Sequence, residues 1–369
     1  MQVHVVHTCA HAKTHKTLQK KKKKKNKDGL SGDAATAISY GYAYLGQDVR
    51  GRYLSNGSYS FWRTDGNDTI DTIAWLLQQT WSDSLMGVQG VSADAIAHYV
   101  DFAGVMTDTL YEKYFVPEFK AIQTAVLLVG TNMLHETCYQ GGAYVESLIS
   151  GWLTEIGEAS YIDTVLENEP FGPYWYPING DFQSKWDLFD FPMVHFAGWY
   201  DIFSTTQIQV ALAINETEKN EGGGGYKDIR IRILFPITTY FLKSESSEGA
   251  KGQQILMIDA GGHCEQGAIN WPNNSYGLDL LLDTLLPEIY AGAFESAKHN
   301  VPFDIHSVIP WNVLFYMLGP GGLGSEGNYW IAAESLPPVT SYLTYYLDGS
   351  GSSGALNLDL PQGSGTKQY

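Results

Sequence analysis

The sequence predicts an α/β fold: a mainly parallel sheet interrupted by a helical insertion and followed by the start of a β-rich unit. Three observations carry that expectation. Strand-like and helix-like runs alternate between Ile38 and Val100, as in a parallel sheet. The alternation lapses over residues 100–189, where apolar residues recur at helical spacing instead. Buried strand-like runs then return at Phe191–Gly198 and Gln254–Asp259.

Taken in order, Ile38–Gln47 reads as a buried strand, and Asp48-Val49-Arg50-Gly51 as the loop leaving it. Asn56-Gly57 and Asp65-Gly66 mark turns. Asp68–Gln79 reads as an amphipathic helix, with Asp68 as N-cap and Ile70, Ile73, Ala74 and Leu77 on one face. A strand ends at Ser92, and a helix-compatible run, Ala93–Val100, follows at once. Ala121–Leu134 and Ala143–Ile156 are read as packed helices of the insertion, and Glu169–Trp175 as an aromatic, proline-rich connection. A helix is expected over Thr205–Ala213, after the strand Phe191–Gly198. The alternating Ile229–Ile233 suits a half-exposed strand, and Gln254–Asp259 a buried one. Val313–Leu318 and Tyr342–Leu347 look like the opening of an all-β unit that Tyr369 cuts short of a full sandwich. The expected domains are therefore a core of residues 31–99 and 190–300, a cap of residues 100–189 and an incomplete β-sandwich over 308–369.

The first 30 residues look foreign to this plan. Lys20–Lys25 is a homopolymer with no apolar period around it, and the weak, His-rich start that precedes it is not a signal peptide. His4, His7, Cys9, His11 and His15 have metal-ligand chemistry, but without supporting neighbours they read as adventitious binders. A disordered, solvated tail or a misassigned gene start accounts for the segment, and it is expected to add nothing to the core.

The 369 residues carry a formal charge of −17, and residues 29–369 hold 14 basic against 39 acidic groups, a net −25. A surface so acidic repels phosphate backbones and anionic lipid, which argues against nucleic-acid and membrane partners. No apolar run reaches the length of a membrane span, so a cytoplasmic location is the default. Three cysteines, Cys9, Cys138 and Cys264, make no disulfide framework.

Chemistry concentrates at Ser92. Gly87-Val88-Gln89-Gly90-Val91-Ser92-Ala93-Asp94-Ala95 has the shape of a nucleophile elbow, a strand-to-helix turn that presents a serine hydroxyl, although Asp94 replaces the usual second glycine. Gly-x-Ser alone is common, and an ordinary turn serine also satisfies it. Its downstream company matters more. A serine needs a base to take its proton, and the base needs a carboxylate to hold its tautomer. Asp201 follows the strand ending at Gly198, and His263 follows the strand ending at Asp259, in the order Ser, Asp, His. His195 falls mid-strand and reads as a satisfied core residue. His98 lies along the elbow helix, while His135, His299 and His306 lack a strand-end setting.

With these residues in view, the chain resembles the X-prolyl dipeptidyl peptidase and cocaine-esterase type of α/β-hydrolase, which includes the α-amino-acid ester hydrolases. Gln47-Asp48-Val49-Arg50-Gly51, Ser55-Asn56-Gly57, Asp68–Leu76, Trp81-Ser82-Asp83, Gly90-Val91-Ser92, Gly198-Trp199-Tyr200-Asp201 and Gly262-His263 are similar to that family's blocks. The resemblance implies an α/β-hydrolase core with a helical cap and the entry strand of a jelly roll at Val313–Gly319. It implies Ser92 as nucleophile, Asp201 as acid and His263 as base, with the Ala93 N–H as an oxyanion donor and Trp199, Tyr200 and Phe203 lining the substrate pocket. No cofactor and no metal are implied, and the partner is a small ester or short peptide. The chain departs from the family at Ala93, Asp94 and Ala95, and in the 62 positions between Asp201 and His263. The family's histidine loop survives only in degenerate form, as Asp259–His263. Its tyrosine-bearing oxyanion segment, expected upstream of Gln47, has no match. A catalytically impaired pseudoenzyme or binding module of the same fold stands as the alternative.

Overall fold

The computed structural model describes residues 3–7, 37–103, 121–179, 191–215, 252–263, 274–319, 327–336, 346–348 and 355–357. In chain order the elements begin with β1 (Val3–His7), β2 (Ala43–Gln47), α1 (Asp65–Leu77), β3 (Met86–Val91), α2 (Ala93–Ala103) and β4 (Ile122–Leu128). There follow α3 (Leu134–Cys138), a small hairpin of β5 (Tyr139–Gln140) and β6 (Ala143–Tyr144), α4 (Glu146–Glu155) and α5 (Ile162–Glu167). Next come β7 (Met193–Tyr200), α6 (Ser204–Asn215), β8 (Gln254–Gly262) and α7 (Ser275–Asp279), which runs through a π-helical turn (Leu280–Leu285) into α8 (Leu286–Lys298). β9 (Val313–Met317), β10 (Tyr329–Ala333), β11 (Tyr346–Asp348) and β12 (Ala355–Asn357) complete the order.

Eight strands form one sheet in the order β10-β9-β8-β7-β4-β3-β1-β2. All neighbours are parallel except β9 and β10, so the α/β class and the mainly parallel sheet are as expected. A parallel sheet needs crossovers, and these bury both of its faces. One apolar cluster joins Ile70 and Ile73 of α1, Tyr99 of α2, and Val210 and Ile214 of α6 to the strands; another seats Ile289, Tyr290 and Phe294 of α8 against Val126, Val194 and Ile255.

Three sequence expectations are corrected here. Ala121–Leu134 is not a helix: Ile122–Leu128 is β4, at the centre of the sheet. A central parallel strand is buried on both faces, so its apolar run shows no alternation to distinguish it from a helix. The region 100–189 therefore contains a core strand, and the described α-helices that follow it there are α3, α4 and α5. Second, Val3–His7 is not part of a tail without structure. β1 pairs with both β2 and β3, and so takes the place beside the elbow strand. The lysine run and the cysteine and histidines that follow His7 in the tail lie outside the described residues. Third, β9 and β10 extend the main sheet, with β9 parallel to β8; of the described strands after β8, β11 and β12 pair apart from it. The strand expected at Ile229–Ile233 lies outside the described residues.

The segment 134–179 packs over the loop that precedes α1. Phe61 stacks on Tyr161 at 5.8 Å between ring centres and meets Trp152 and Trp175 edge-on. Arg63 lies 4.6 Å over the Tyr174 ring and donates to its carbonyl at 2.8 Å, and Arg52 pairs with Glu158 at 2.8 Å.

Candidate active site

Parallel strands end on a common edge, and the loops leaving β3, β7 and β8 there bring three side chains together. The Ser92 hydroxyl lies 2.8 Å from His263 Nε2, and His263 Nδ1 lies 2.7 Å from Asp201 Oδ2. A carboxylate only accepts, so the proton of the neutral ring sits on Nδ1 and leaves Nε2 to accept from the serine. The structure thus brings together all three residues that the sequence placed at strand ends.

Each of them is fixed locally. Ser92 has φ +57°, a left-handed conformation that is rare for a residue with a side chain and recurs at strained functional turns. Its N–H donates to the Leu128 carbonyl and its carbonyl accepts from Ile96 N–H, both at 2.9 Å, tying the turn to β4 and to α2. The tightness of the turn accounts for its glycines. A Cβ at Gly90 would lie 2.6 Å from the Ala95 nitrogen, and one at Gly130, just past β4, 2.5 Å from the Ala95 Cβ. Ala95, one of the departures from the family pattern, is accommodated because its neighbour is Gly130. Asp94, another departure, is buried in the first turn of α2; burial, and then the charge of Asp65, push its carboxyl well above the usual carboxylate range.

Asp201 is held in the turn after β7. Its side chain is fully buried, its Oδ1 accepts from Phe203 N–H at 2.7 Å, and its own N–H donates to Gly198 at 3.0 Å. His263 is one-fifth exposed, open enough to meet a ligand, and the Phe203 ring meets it edge-on at 5.1 Å. Ala93 opens α2, where the first N–H groups of a helix have no partner within it.

The expected pocket residues divide. Tyr200 is exposed beside Asp201, and Phe203 packs on His263. Trp199 turns away: its indole donates to the Tyr316 carbonyl at 2.7 Å and its ring packs on Phe315, which ties β7 to β9. His195 is buried and doubly bonded, accepting from the Tyr99 hydroxyl and donating to Gln254 Oε1 at 2.9 Å. His98 is also buried. Cys264 lies outside the described residues. Sequence reasoning missed Trp62, whose indole reaches the Ala93 carbonyl at 3.0 Å. Nothing in the Phe61-Trp62-Arg63 run signals that contact.

Among the described residues no group of His, Cys, Asp or Glu converges as a metal site would require, and no helix is long and apolar enough to cross a membrane.

Comparison with known proteins gives consistent relatives. Residues 6–154 match the sequence model of the X-Pro dipeptidyl-peptidase (S15) family. A stretch of 52 residues is 42% identical to the cocaine esterase of Rhodococcus sp. (strain MB1 Bresler), covering 14% of this chain and 9% of that enzyme. Among solved structures, SACOL2612, a CocE/NonD family hydrolase from Staphylococcus aureus, aligns over 97% of this chain and 55% of its own, with a TM-score of 0.61 at 14% identity. An aminopeptidase from a marine sediment archaeon, Thaumarchaeota archaeon, aligns over 98% and 58%, with a TM-score of 0.60 at 15% identity. At these identities the structures speak for the fold, and the chain spans a little over half the length of each. The matches bear out the resemblance to the X-Pro dipeptidyl peptidase and cocaine-esterase type of α/β-hydrolase.

Proposed function

We propose that this chain is a serine hydrolase that cleaves a small ester or a short peptide amide through an acyl-enzyme on Ser92. The observation that carries the proposal is the continuous relay from Ser92 Oγ through His263 to a buried Asp201, with contacts of 2.8 and 2.7 Å. Those lengths are within the range in which a positioned base takes a proton from its nucleophile.

In this reading His263 Nε2 accepts the hydroxyl proton as Ser92 Oγ attacks the substrate carbonyl. The developing oxyanion lies against the N–H of Ala93, at the positive end of α2. His263 returns the proton to the leaving alcohol or amine, and a water activated by the same nitrogen releases the acid. Asp201 accepts from Nδ1 throughout, holding the tautomer and stabilising the imidazolium without taking the proton. Tyr200 and Phe203 line the approach. Ile202, Phe203 and Ser204 supply no acidic pair after Asp201, so recognition of a substrate amine does not come from that loop.

A binding module without turnover draws support from Asp94 and Ala95, which stand where glycines are usual after the serine. A fluorophosphonate probe separates the readings. A labelled band that is lost in Ser92→Ala supports the hydrolase. Folded wild-type protein that takes no label would overturn it in favour of the binding module.

A further inference from the structure

Ser92 at φ +57° stores strain, and such a residue relaxes unless its surroundings over-determine it. The nearest relaxation rotates the Ser92–Ala93 peptide, and with it the Ala93 N–H. Two backbone bonds resist this from the Ser92 side, through Leu128 and Ile96. The third restraint comes from a side chain: the Trp62 indole N–H donates to the Ala93 carbonyl at 3.0 Å, on the far side of the same Cα.

Trp62 is itself held at a cost. It has φ +61° and Phe61 before it has φ +51°, two consecutive aromatic residues in a region that bulky side chains avoid. A buried indole needs an acceptor, but any nearby carbonyl meets that need. Here the indole reaches this one from a pair of adjacent left-handed residues. What holds Trp62 there is the segment 134–179. Its ring stacks on Trp152 of α4 at 5.1 Å and 9°, and Phe61 meets it edge-on at 5.0 Å. Trp62 is 7% exposed and shares its apolar cluster with Ala93 and Phe203.

We propose that Trp62 is a positioning residue for the Ala93 oxyanion amide, and that Trp152 is the support that keeps it in place. The proposal rests on Ser92 being the nucleophile. It links the segment 134–179 to transition-state stabilisation through one hydrogen bond, without requiring that segment to touch the reacting atoms.

Trp62→Phe keeps an aromatic ring at the stack and removes the donor. Its turnover of p-nitrophenyl acetate should fall about tenfold, less than the roughly 10²–10³ lost when an oxyanion donor is deleted outright. KM should stay within about twofold and the pH midpoint of kcat should not move, since the relay is untouched and only transition-state binding weakens. Trp152→Ala should lower kcat by a smaller factor, and combining it with Trp62→Phe should add nothing. If Trp62→Phe folds poorly, benzothienylalanine at position 62, which has the shape of Trp without the N–H, carries the same expectation. Unchanged kcat in either variant would overturn the proposal, as would a loss expressed in KM. Multiplicative losses in the double variant would remove Trp152 from it. Wild-type protein that takes no fluorophosphonate would instead sink the reading of Ser92, and this inference with it.

Discussion

The carboxyl edge of the sheet and the segment 134–179 are held by different forces, although they lie side by side. At the edge the residues are polar and are placed by directed bonds: the Ser92 backbone by Leu128 and Ile96, the Asp201 backbone by Gly198 and its carboxylate by Phe203. The neighbouring segment is fastened by rings. Trp175 is fully buried among Phe61, His135, Tyr139 and Tyr174, and its indole donates to the Asn168 carbonyl. A directed bond fixes an angle but adds little net stability, whereas a buried aromatic ring adds stability and tolerates small rotations. Damage to the edge should therefore appear in catalysis, and damage to the segment away from the Trp152–Trp62 stack in stability.

The largest effect tests the first half of that contrast. Asp201→Asn preserves shape and can still accept from Phe203 N–H, but it presents an N–H donor to His263 or removes the charge that fixes the tautomer. Activity should fall by roughly 10⁴-fold, the scale set by a triad carboxylate held in the wrong hydrogen-bonding state. The denaturation midpoint should move little. A variant within tenfold of the wild type would show that Asp201 does not orient the base.

The second half is tested at Trp175. Trp175→Ala should cost about 3–5 kcal/mol in urea unfolding, the usual range for deleting a buried aromatic side chain. In protein that remains folded, fluorophosphonate labelling of Ser92 should continue. A stability loss below about 1 kcal/mol would mean that the rings do not fasten the segment. Loss of labelling in stable protein would mean that the two regions are not separable in this way.

The same contrast separates what was legible in the sequence from what was not. Ser92, Asp201 and His263 were readable because parallel strands end on one edge, so chain order and strand ends suffice to suggest a shared location. β4 was not, because a strand buried on both faces loses the alternation that identifies strands. β9 was found as a strand but assigned to a separate unit, since five apolar residues do not say which sheet they join. β1 was hidden by its setting: Val3-His4-Val5-Val6-His7 is short and lies before a lysine run that dominates the composition. Trp62 and Trp199 were beyond reach for a further reason. Where an indole points depends on a backbone turn or a neighbouring strand distant in sequence, and no local spacing encodes it.

Beneath the edge lies a buried polar network that sharpens the contrast, because it contributes to stability through polar groups. Gln207 donates to the Leu127 carbonyl and lies 3.5 Å from the Tyr99 hydroxyl; Tyr99 donates to His195, and His195 to Gln254. Burial lowers His195 to about 4, and His98 likewise. Both are depressed below the value of about 6.5 that a histidine has in an unfolded chain. Between these limits the unfolded chain binds protons that the folded chain refuses, so stability rises with pH across this window and is lost as pH falls from about 6.5 toward 4. Each histidine contributes on the order of 3 kcal/mol over the full window. Asp94, raised by burial, works in the opposite direction. The share due to His195 is therefore read as a difference in slope. Urea unfolding of the wild type at pH 7 and pH 4.5 should show a larger drop in stability than His195→Gln, which has nothing to protonate at that position. Equal slopes would mean that His195 accepts a proton in the folded state, and that the network opens rather than resisting acid.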